Sequence, residues 1–200
     1  MRILIIGGSG TIGEKVAEAL ATRHEIVIAS RSNAKFQVDL TFTRSIRHIY
    51  ETIGPLDACI STTASGALDN FSKLTEEELL DNMKAKLFGQ INLVLIGQRY
   101  LNDNGSFTLT SGIFADRHAK GATGRAIINS ALNSFTETAS LELPRNLRIN
   151  IVSPGPVAES IQDFGQFFPD IVPIPMEKIV RAYVESVEGS ITGKVFRIYE

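Results

Sequence analysis

Cysteine, clustered metal ligands and long apolar runs are scarce in this sequence, and each scarcity excludes a class of protein. A single cysteine, Cys59, cannot form an internal disulfide, which excludes a disulfide-stabilised framework. Cys59 lies in the apolar run Ala58-Cys59-Ile60 and is predicted to be a small buried hydrophobic residue. The three histidines are scattered, none at metal-ligand spacing from another ligand, so we expect no bound metal.

The weak net charge and the lack of a membrane-length segment narrow the possible partners. The formal net charge is −2 and there is no basic cluster, so we expect no binding to nucleic acid or to an anionic membrane. Residues 3–6 are apolar, but Gly7 and Gly8 follow at once, so no signal peptide is expected. No apolar run approaches the length of a membrane span. The expected location is therefore the cytoplasm.

Strand-like and helix-like patterns alternate along the whole chain of 200 residues. Such alternation builds parallel sheets covered by helices, so residues 1–200 are predicted to form one α/β domain, a Rossmann-type doubly wound sheet of about seven strands with helices on both faces. The predicted strands are Arg2–Ile6, Glu25–Ser30, Phe36–Leu40, Leu56–Ser61, Ser106–Ser111, Arg148–Ser153 and Lys194–Tyr199. Ligands of such sheets bind at the carboxyl ends of the strands, where the strand order reverses.

Five helices are predicted between these strands. Their approximate ranges are Glu14–Ala21, 46–53, 75–101, 126–143 and Met176–Val187. The longest one opens at Thr75, which forms a capping box with Glu78 three residues later, and it is followed by a predicted turn at Asn102–Gly105. Its inward-facing side chains are expected to be Leu80, Met83, Leu87, Ile91 and Val94.

A glycine-rich loop directly follows the first strand and opens the first helix. Glycines there turn the chain tightly, let the backbone approach a phosphate and let the helix pack on the strand. The N–H groups and the positive dipole end of the helix attract the anion. This context indicates a dinucleotide site whose predicted contact residues are Gly7, Ser9, Gly10, Thr11, Ile12 and Gly13.

The end of the second strand indicates which dinucleotide binds. Sites for NAD place an acidic residue there to bind the ribose hydroxyls, but no Asp or Glu stands at this position. Arg31, with Ser30 and Ser32 as hydrogen-bonding neighbours, is suited instead to a 2′-phosphate. The sequence therefore predicts NADP(H) in preference to NAD(H).

These motifs together resemble the short-chain dehydrogenase/reductase family, and the likeness covers nearly the whole chain. Gly7, Gly10 and Gly13 resemble the family's glycine motif, with the middle glycine displaced. Leu141-Glu142-Leu143 resembles the end of the family's helix before strand six, and Ile149–Gly155 resembles its segment beside the nicotinamide. The resemblance adds a catalytic serine, Ser111, and further cofactor contacts at Asp39, Leu40, Ser61, Thr62, Thr63, Pro154 and Gly155.

The family's catalytic tyrosine and lysine are missing from this sequence. Counted back from Leu141-Glu142-Leu143, the tyrosine position falls on Arg125 and the lysine position on Asn129. Arginine is a poor proton donor because it stays protonated above pH 12, and Asn129 carries no charge. None of the four tyrosines (Tyr50, Tyr100, Tyr183, Tyr199) has a lysine four residues on.

Two functions remain open on this evidence. In the first, the protein is an NADP(H)-dependent oxidoreductase acting on a small carbonyl, alcohol or related apolar substrate, with unusual proton donors. Lys86, at the family's asparagine position, His118, Lys120 or ordered water is then the candidate donor, and Arg125 is suited to an anionic substrate or a carbonyl. In the second, the protein binds NADP(H) without turnover and acts as a sensor or interaction module.

The segment before the last helix bears on the substrate, and the long helices bear on assembly. Residues 157–175 are rich in aromatic and apolar side chains and are expected to form an apolar lid over a small-molecule substrate, or else to pack the loop down or form a subunit contact. The resemblance also implies a homodimer or homotetramer paired through helices 75–101 and 126–143. The aromatic and apolar residues of the predicted lid are Ile161, Phe164, Phe167, Phe168 and Ile171. Three prolines, Pro169, Pro173 and Pro175, lie in the second half of the segment.

Overall fold

A computed structural model describes residues 1–32, 34–63, 69–160, 167–168 and 172–199. Seven described strands form one sheet in which every neighbouring pair is parallel, in the order β3-β2-β1-β4-β5-β6-β7. The doubly wound parallel sheet predicted from the sequence is confirmed. The strands are β1 Arg2–Ile6, β2 Glu25–Ser30, β3 Phe36–Gln37, β4 Leu56–Ser61, β5 Leu101–Thr110, β6 Arg148–Pro154 and β7 Val195–Ile198.

Helices cover both faces of the sheet. The α1 and α6 helices lie on one face, and α2, α4 and α5 lie on the other. Among the described helices, none is both long and apolar enough to cross a membrane. The bounds are α1 Thr11–Ala21, α2 Thr43–Ile53, α3 Glu76–Met83, α4 Gly89–Gly97, α5 Thr123–Ala139 and α6 Met176–Glu188, with a π-helical segment at Lys84–Phe88 between α3 and α4.

The first strand shows why the sheet is buried on both sides. Side chains alternate along a strand, so Ile3 and Ile5 enter the apolar cluster under α1 and α6, while Leu4 and Ile6 enter the cluster under α2, α4 and α5. All four side chains are almost fully buried. A continuous apolar run is therefore what this strand needs, because neither of its faces meets water.

The strand order reverses between β1 and β4. The chain runs outward from β1 through β2 to β3, then returns to pair β4 with the other side of β1. The loops that follow β1 and β4 consequently diverge at the carboxyl edge and leave a crevice between them. The candidate site lies at this crevice.

The predicted helix over 75–101 is wrong as a continuous element. The capping box at Thr75 and Glu78 is present, but the helix is interrupted by the π-helical segment Lys84–Phe88 and ends at Gly97. A π turn inserts an extra residue and rotates the helix face that precedes it relative to the face that follows. Leu80, predicted to face inward, is 46% exposed as a result, whereas Leu87 and Val94 are buried.

The fifth strand starts earlier than predicted, at Leu101 instead of Ser106. Leu101 is buried and pairs with Leu56, while Ser106 pairs with Ala58, so the extra residues form a bulge. Asn104 within it has a φ of 63°, which asparagine tolerates better than most residues. The predicted turn at Asn102–Gly105 is thus a bulge inside the strand.

Two further element boundaries differ from the prediction, because side chains accept hydrogen bonds from backbone N–H groups there. Strand β3 ends at Gln37 rather than Leu40, since the Asp39 N–H donates to Ser45 Oγ (2.9 Å) instead of extending the sheet. Helix α5 begins at Thr123, three residues early, because the Asp69 carboxylate accepts from the N–H groups of Thr123 and Gly124 (3.2 and 2.6 Å). It ends at Ala139 rather than near residue 143.

Cys59 is buried, as predicted for a small hydrophobic residue. The Tyr50 hydroxyl donates to the carbonyl of Leu93 at 2.9 Å and lies 3.2 Å from Cys59 Sγ. Burial raises the pKa of the Cys59 thiol to about 12, so the thiol stays protonated and unreactive.

Candidate functional site

A cavity of about 780 Å³ opens at the carboxyl edge of the sheet, between the loops after β1 and β4. It extends from the glycine loop and Arg31 to the loops that follow β5 and β6. One cavity thus joins ten of the sixteen predicted cofactor residues to the predicted catalytic residue, Ser111. Its lining is Gly7, Ser9, Gly10, Thr11, Ile12, Arg31, Thr62, Thr63, Lys86, Ser111, Gly112, Ile113, Phe114, Arg125, Asn129, Pro154, Gly155, Pro156 and Val157.

The glycine loop forms one wall of the cavity, and its shape depends on two glycines. Gly7 has a φ of 81°, and its carbonyl accepts from the Gly10 N–H at 3.0 Å, which closes the turn before α1. A Cβ on Gly13 would lie 2.2 Å from that same carbonyl oxygen. Gly13 therefore does not line the cavity but lets α1 pack directly beneath the loop.

The end of β4 forms the facing wall. Thr62 donates to the Ile6 carbonyl through both its N–H (2.9 Å) and its Oγ1 (3.1 Å), which fixes it against the end of β1. Ser61 Oγ shares a hydrogen bond with Thr63 Oγ1 at 2.9 Å. Thr62 and Thr63 line the cavity, whereas Ser61 is fully buried behind them.

Arg31 follows β2 and lines the far end of the cavity, where its side chain is exposed. Ser30 is buried with an unpartnered Oγ, and Ser32 is exposed. Neither serine lines the cavity, and neither do Asp39 or Leu40.

The Asp39 carboxylate is occupied within its own loop. It accepts from the N–H and Oγ1 of Thr41 at 2.9 and 2.6 Å. These hydrogen bonds, with a smaller contribution from the Arg31 charge, lower the pKa of Asp39. Asp39 therefore shapes the loop that borders Arg31.

Ser111 and Asn129 place unpartnered polar atoms at the other end of the cavity. Ser111 follows β5 and is held by its N–H, which donates to the Val152 carbonyl at 3.0 Å. Among the described residues, Ser111 Oγ and Asn129 Oδ1 are buried without a hydrogen-bond partner. Unpartnered buried polar atoms carry a free-energy cost that a ligand can remove, so these two atoms mark a place for a polar substrate group.

Lys86 is buried beside Ser111. Its Nζ donates to the Ser111 carbonyl at 3.0 Å, and the residue is only 8% exposed. Burial, with a smaller contribution from the positive charge of Arg125, lowers the pKa of Lys86 from 10.5 to about 7. Lys86 is neither a solvated nor a carboxylate-paired lysine, and its ammonium group can give up a proton near neutral pH.

Gln90 positions Lys86, although nothing in the sequence singled it out. Its fully buried amide accepts from the Thr110 N–H (2.8 Å) and donates to the Thr110 carbonyl (2.9 Å) and the Lys86 carbonyl (3.2 Å). These bonds fasten the π-helical segment to the end of β5. The side chain of Lys86 is consequently aimed at the residue that follows the strand.

Arg125 lies in the first turn of α5, where Asp69 secures the helix start. Its guanidinium carbon lies 5.9 Å from the centre of the Phe114 ring. Phe114 in turn packs against Phe167 and Phe168, with ring centres 5.8 and 5.0 Å away. The cation thus stands beside an apolar cluster of Ile113, Phe114, Ala122, Phe168 and Tyr199.

This packing bears on the predicted lid. Phe168 is buried in the cluster rather than turned toward the cavity, and Phe167 is partly buried. The lid residues Ile161, Phe164, Pro169 and Ile171 lie outside the described residues. The apolar lining that the structure does describe comes from Ile113, Phe114, Pro156 and Val157.

Two of the candidate proton donors are not part of the site. His118 and Lys120 are exposed and do not line the cavity, because the loop after β5 turns them to the surface. Tyr183 is buried in the core and hydrogen-bonded to Thr110 Oγ1 at 2.6 Å. Tyr199 packs in the Phe114 cluster, where its hydroxyl bonds to Asp116. Neither tyrosine lines the cavity.

Comparison with known proteins finds a matching family model and a related sequence. A family model described as enoyl-(acyl carrier protein) reductase matches residues 9–181. The short-chain dehydrogenase/reductase ATR9 of Stachybotrys chlorohalonatus is 27% identical over 98% of this chain and 85% of its own length.

Solved structures agree in fold over the whole chain. The protein lin1944 from Listeria innocua is 41% identical, with a TM-score of 0.96 and coverage of 100% of both chains. A small-chain dehydrogenase solved in complex with NADPH is 25% identical, with a TM-score of 0.88 and coverage of 100% of this chain and 96% of its own.

Proposed function

The chain belongs to the short-chain dehydrogenase/reductase family, and on that premise we propose that it is an NADP(H)-dependent oxidoreductase acting on a small carbonyl compound or alcohol. The observation that carries the proposal is the single cavity that joins the glycine loop and Arg31 to Lys86 and Ser111. A cofactor and a substrate can thus lie in contact within one cavity, which is what hydride transfer between them needs.

The residues of the glycine loop fit a dinucleotide. A Cβ at Gly13 would collide with the Gly7 carbonyl, so this glycine keeps α1 against the loop, and Gly7 and Gly10 line the cavity with backbone alone. The first N–H groups of α1, at Thr11 and Ile12, have no intrahelical acceptors and are suited to a pyrophosphate. Thr62, Thr63, Pro154 and Gly155 would border the rest of the cofactor.

Arg31 supports the preference for NADP(H). It is the cation at the glycine-loop end of the cavity, and no acidic residue stands among the described lining residues to bind a ribose hydroxyl. The related small-chain dehydrogenase was solved with NADPH, which agrees with this preference.

We expect Arg31→Ala to weaken NADPH binding by about 10- to 100-fold, because a charge-assisted hydrogen bond to the 2′-phosphate is lost. NADH affinity should change less than about threefold, since NADH lacks that phosphate. Fluorescence titration with both cofactors measures the two effects. The matched control is Arg99→Ala, an exposed arginine at the opposite edge of the sheet. Equal losses for NADPH and NADH would contradict the assignment.

Lys86 and Ser111 can handle the proton and the substrate oxygen. NADPH, when bound, supplies the hydride that reduces a carbonyl carbon. Ser111 Oγ is suited to donate a hydrogen bond to the substrate oxygen, since it has no other partner among the described residues. The Lys86 ammonium group then donates a proton to that oxygen and is reprotonated from solvent. A pKa of about 7 suits this role, because the group can both lose and regain a proton near neutral pH. Lys86 thus replaces the tyrosine and lysine that the family places at Arg125 and Asn129.

The proposal is tested by following NADPH absorbance with a panel of ketones, enones and quinones, in wild type and Ser111→Ala. We expect NADPH loss with at least one class, and a fall in kcat of about 10- to 100-fold in the variant, the effect of one lost hydrogen bond in the transition state. Ser130→Ala on the exposed side of α5 is the control and should retain full activity. Unchanged turnover in Ser111→Ala would remove Ser111 from the mechanism.

Tight NADPH binding without turnover on any class would favour the second function, a cofactor-dependent sensor or interaction module. The observation in its favour is that Arg125 and Asn129 occupy the positions of the family's tyrosine and lysine. The homodimer or homotetramer stays a prediction, which the exposed Phe88, Leu95 and Ile127 on the same helices support. The cytoplasmic location also stays a prediction.

A further inference from the structure

The start of helix α5 carries two of the residues that line the cavity. Arg125 lies in its first turn, and Asn129 follows one turn later. Ala122 directly precedes the helix and offers no side-chain acceptor to the first N–H groups, which have no acceptors inside the helix. The position of both lining residues therefore depends on what else secures this helix start.

Asp69 secures it from a distant part of the chain. Its carboxylate accepts from the N–H groups of Thr123 (3.2 Å) and Gly124 (2.6 Å), and its own N–H donates to the Gly121 carbonyl at 2.9 Å. A carboxylate at this end of a helix also interacts favourably with the helix dipole. The three hydrogen bonds fasten the segment that follows β4 to the loop before α5 and to the helix itself.

Two glycines allow this close contact. Gly121 has a φ of 77°, and a Cβ there would lie 3.0 Å from the Asp69 carbonyl oxygen. A Cβ on Gly124 would lie 3.2 Å from Asp69 Oδ2 and 3.5 Å from Leu79 Cδ1 on α3. The residues on both sides of the contact thus fit one another, which distinguishes it from a surface ion pair that forms and breaks freely.

The other parts of the cavity are anchored independently of Asp69. The wall at Thr62 and the segment of Lys86 are fastened by hydrogen bonds of their own. The body of α5 is held by Ile128 and Leu132, which are buried in the core. Loss of the Asp69 carboxylate should consequently loosen the first turn of α5 and leave the cofactor wall and the fold in place.

We propose that Asp69 is a positioning residue that shapes the substrate end of the cavity by fixing the start of α5. The inference rests on the proposed function, which assigns this end to a carbonyl compound or alcohol. Asp69 itself does not line the cavity. It acts through Arg125 and Asn129, whose side chains move with the helix turns that carry them. A displaced first turn therefore weakens substrate binding, while the affinity for NADPH is retained.

The test compares Asp69→Ala and Asp69→Asn with wild type, and the control is Asp103→Ala. Asp103 is an exposed carboxylate that pairs with Arg145 at 2.9 Å, outside the cavity. With the carbonyl compound that the substrate panel identifies, we expect KM to rise about 10- to 100-fold in Asp69→Ala, because two hydrogen bonds to a charged group are lost. NADPH affinity and kcat should stay within about fivefold of wild type. Asp69→Asn keeps one acceptor oxygen, so its KM should lie between the two, and Asp103→Ala should match wild type.

Amide hydrogen exchange, followed by NMR in the absence of substrate, reports on the contact directly. In Asp69→Ala the N–H groups of Thr123 and Gly124 should exchange about tenfold faster or more, while those in the body of α5 stay protected. Thermal unfolding of each variant shows that the fold is retained. Faster exchange with an unchanged KM would overturn the inference, since Asp69 would then be purely structural.

Two further outcomes separate this inference from the proposed function. If KM rises and NADPH affinity falls to the same extent in Asp69→Ala, the residue supports the whole cavity and its assignment to the substrate end is wrong. If wild type binds NADPH and reduces no carbonyl compound, the proposed function fails and the inference falls with it. If wild type reduces a carbonyl compound and Asp69→Ala does so with the same KM, only the inference fails.

Discussion

Replacing Gly13 with alanine is expected to lower NADPH affinity by on the order of 100-fold or more. The new Cβ would lie 2.2 Å from the Gly7 carbonyl oxygen, 2.6 Å from Thr62 Oγ1 and 2.8 Å from the Gly8 Cα. Two of these three atoms are backbone, so the clash cannot be relieved by a side-chain rotation. The loop must move away from α1, which breaks the turn closed by the Gly10 N–H and removes the cradle for the pyrophosphate.

Gly8→Ala is the matched control for this substitution, because Gly8 belongs to the same loop but does not line the cavity. Its Cβ would meet side-chain atoms, Ile28 Cγ2 at 2.9 Å and Ile5 Cγ2 at 3.4 Å, and none of these nearest contacts is a backbone atom of the loop. We expect NADPH affinity within about threefold of wild type in this variant, at some cost in stability. Equilibrium titration with NADPH, beside thermal unfolding of the apo protein, separates loss of the site from loss of the fold. A Gly13→Ala protein that is folded and binds NADPH normally would contradict the assignment of the loop.

Replacing Lys86 with methionine is expected to lower kcat by about 100-fold or more while leaving NADPH affinity within a few-fold of wild type. Methionine keeps most of the side chain's volume but removes the proton that we assign to the substrate oxygen. In wild type the rate of carbonyl reduction should decline as the pH rises above about 7, because the ammonium group is then deprotonated. The residual rate of the variant should not show that decline.

Lys84→Met is the control, since Lys84 lies two residues away, is exposed and pairs with Asp81. Stability gives a second readout that does not depend on turnover. Between pH 7 and about 10 the unfolded chain holds a proton on Lys86 that the folded protein has lost. The free energy of unfolding of wild type should therefore rise over this range relative to Lys86→Met. Parallel stability curves would mean that Lys86 titrates normally, and wild-type turnover in Lys86→Met would exclude it as the donor.

The sequence predicts the fold and the cofactor end of the cavity because the signals there are local. The apolar run before Gly7, the spacing to Gly13 and the basic residue after β2 each lie within a few consecutive residues. The topology follows from the alternation of strands and helices. The position of Lys86 also follows from the sequence, through the resemblance in the helix before Gly89.

The sequence predicts less about the end of the cavity near Ser111, because that end depends on contacts between distant segments of the chain. The π turn at Lys84–Phe88 has no sequence signal that we recognise, yet it exposes Leu80. Gln90 reaches across to β5 and fastens the π-helical segment there, and Lys86 Nζ bonds to the Ser111 carbonyl. Likewise, the loop after β5 turns the candidate donor His118 to the surface, whereas Phe114, which the sequence did not single out, lines the cavity.

The sequence brings Lys86 and Arg125 to one site only through the family resemblance. Lys86 and Arg125 are 39 positions apart along the chain by their residue numbers, and only the packing of α5 against the π-helical segment brings them to one cavity. Whether a lysine is solvated, paired with a carboxylate or buried with a lowered pKa is decided by such packing. The sequence left all these states open for Lys86.

The most direct test of the central claim is isotope transfer from NADPH deuterated at nicotinamide C4, in both stereoisomers, to the carbonyl compound that the substrate panel identifies. We expect mass spectrometry to find one deuterium atom on the former carbonyl carbon for each NADPH oxidised, and only with one of the two stereoisomers. The Gly13→Ala protein should give no labelled product. Such a result would mean that the cavity bounded by the glycine loop carries out reductase chemistry. Unlabelled product from both stereoisomers, or intact NADPH in the presence of every carbonyl class, would contradict it.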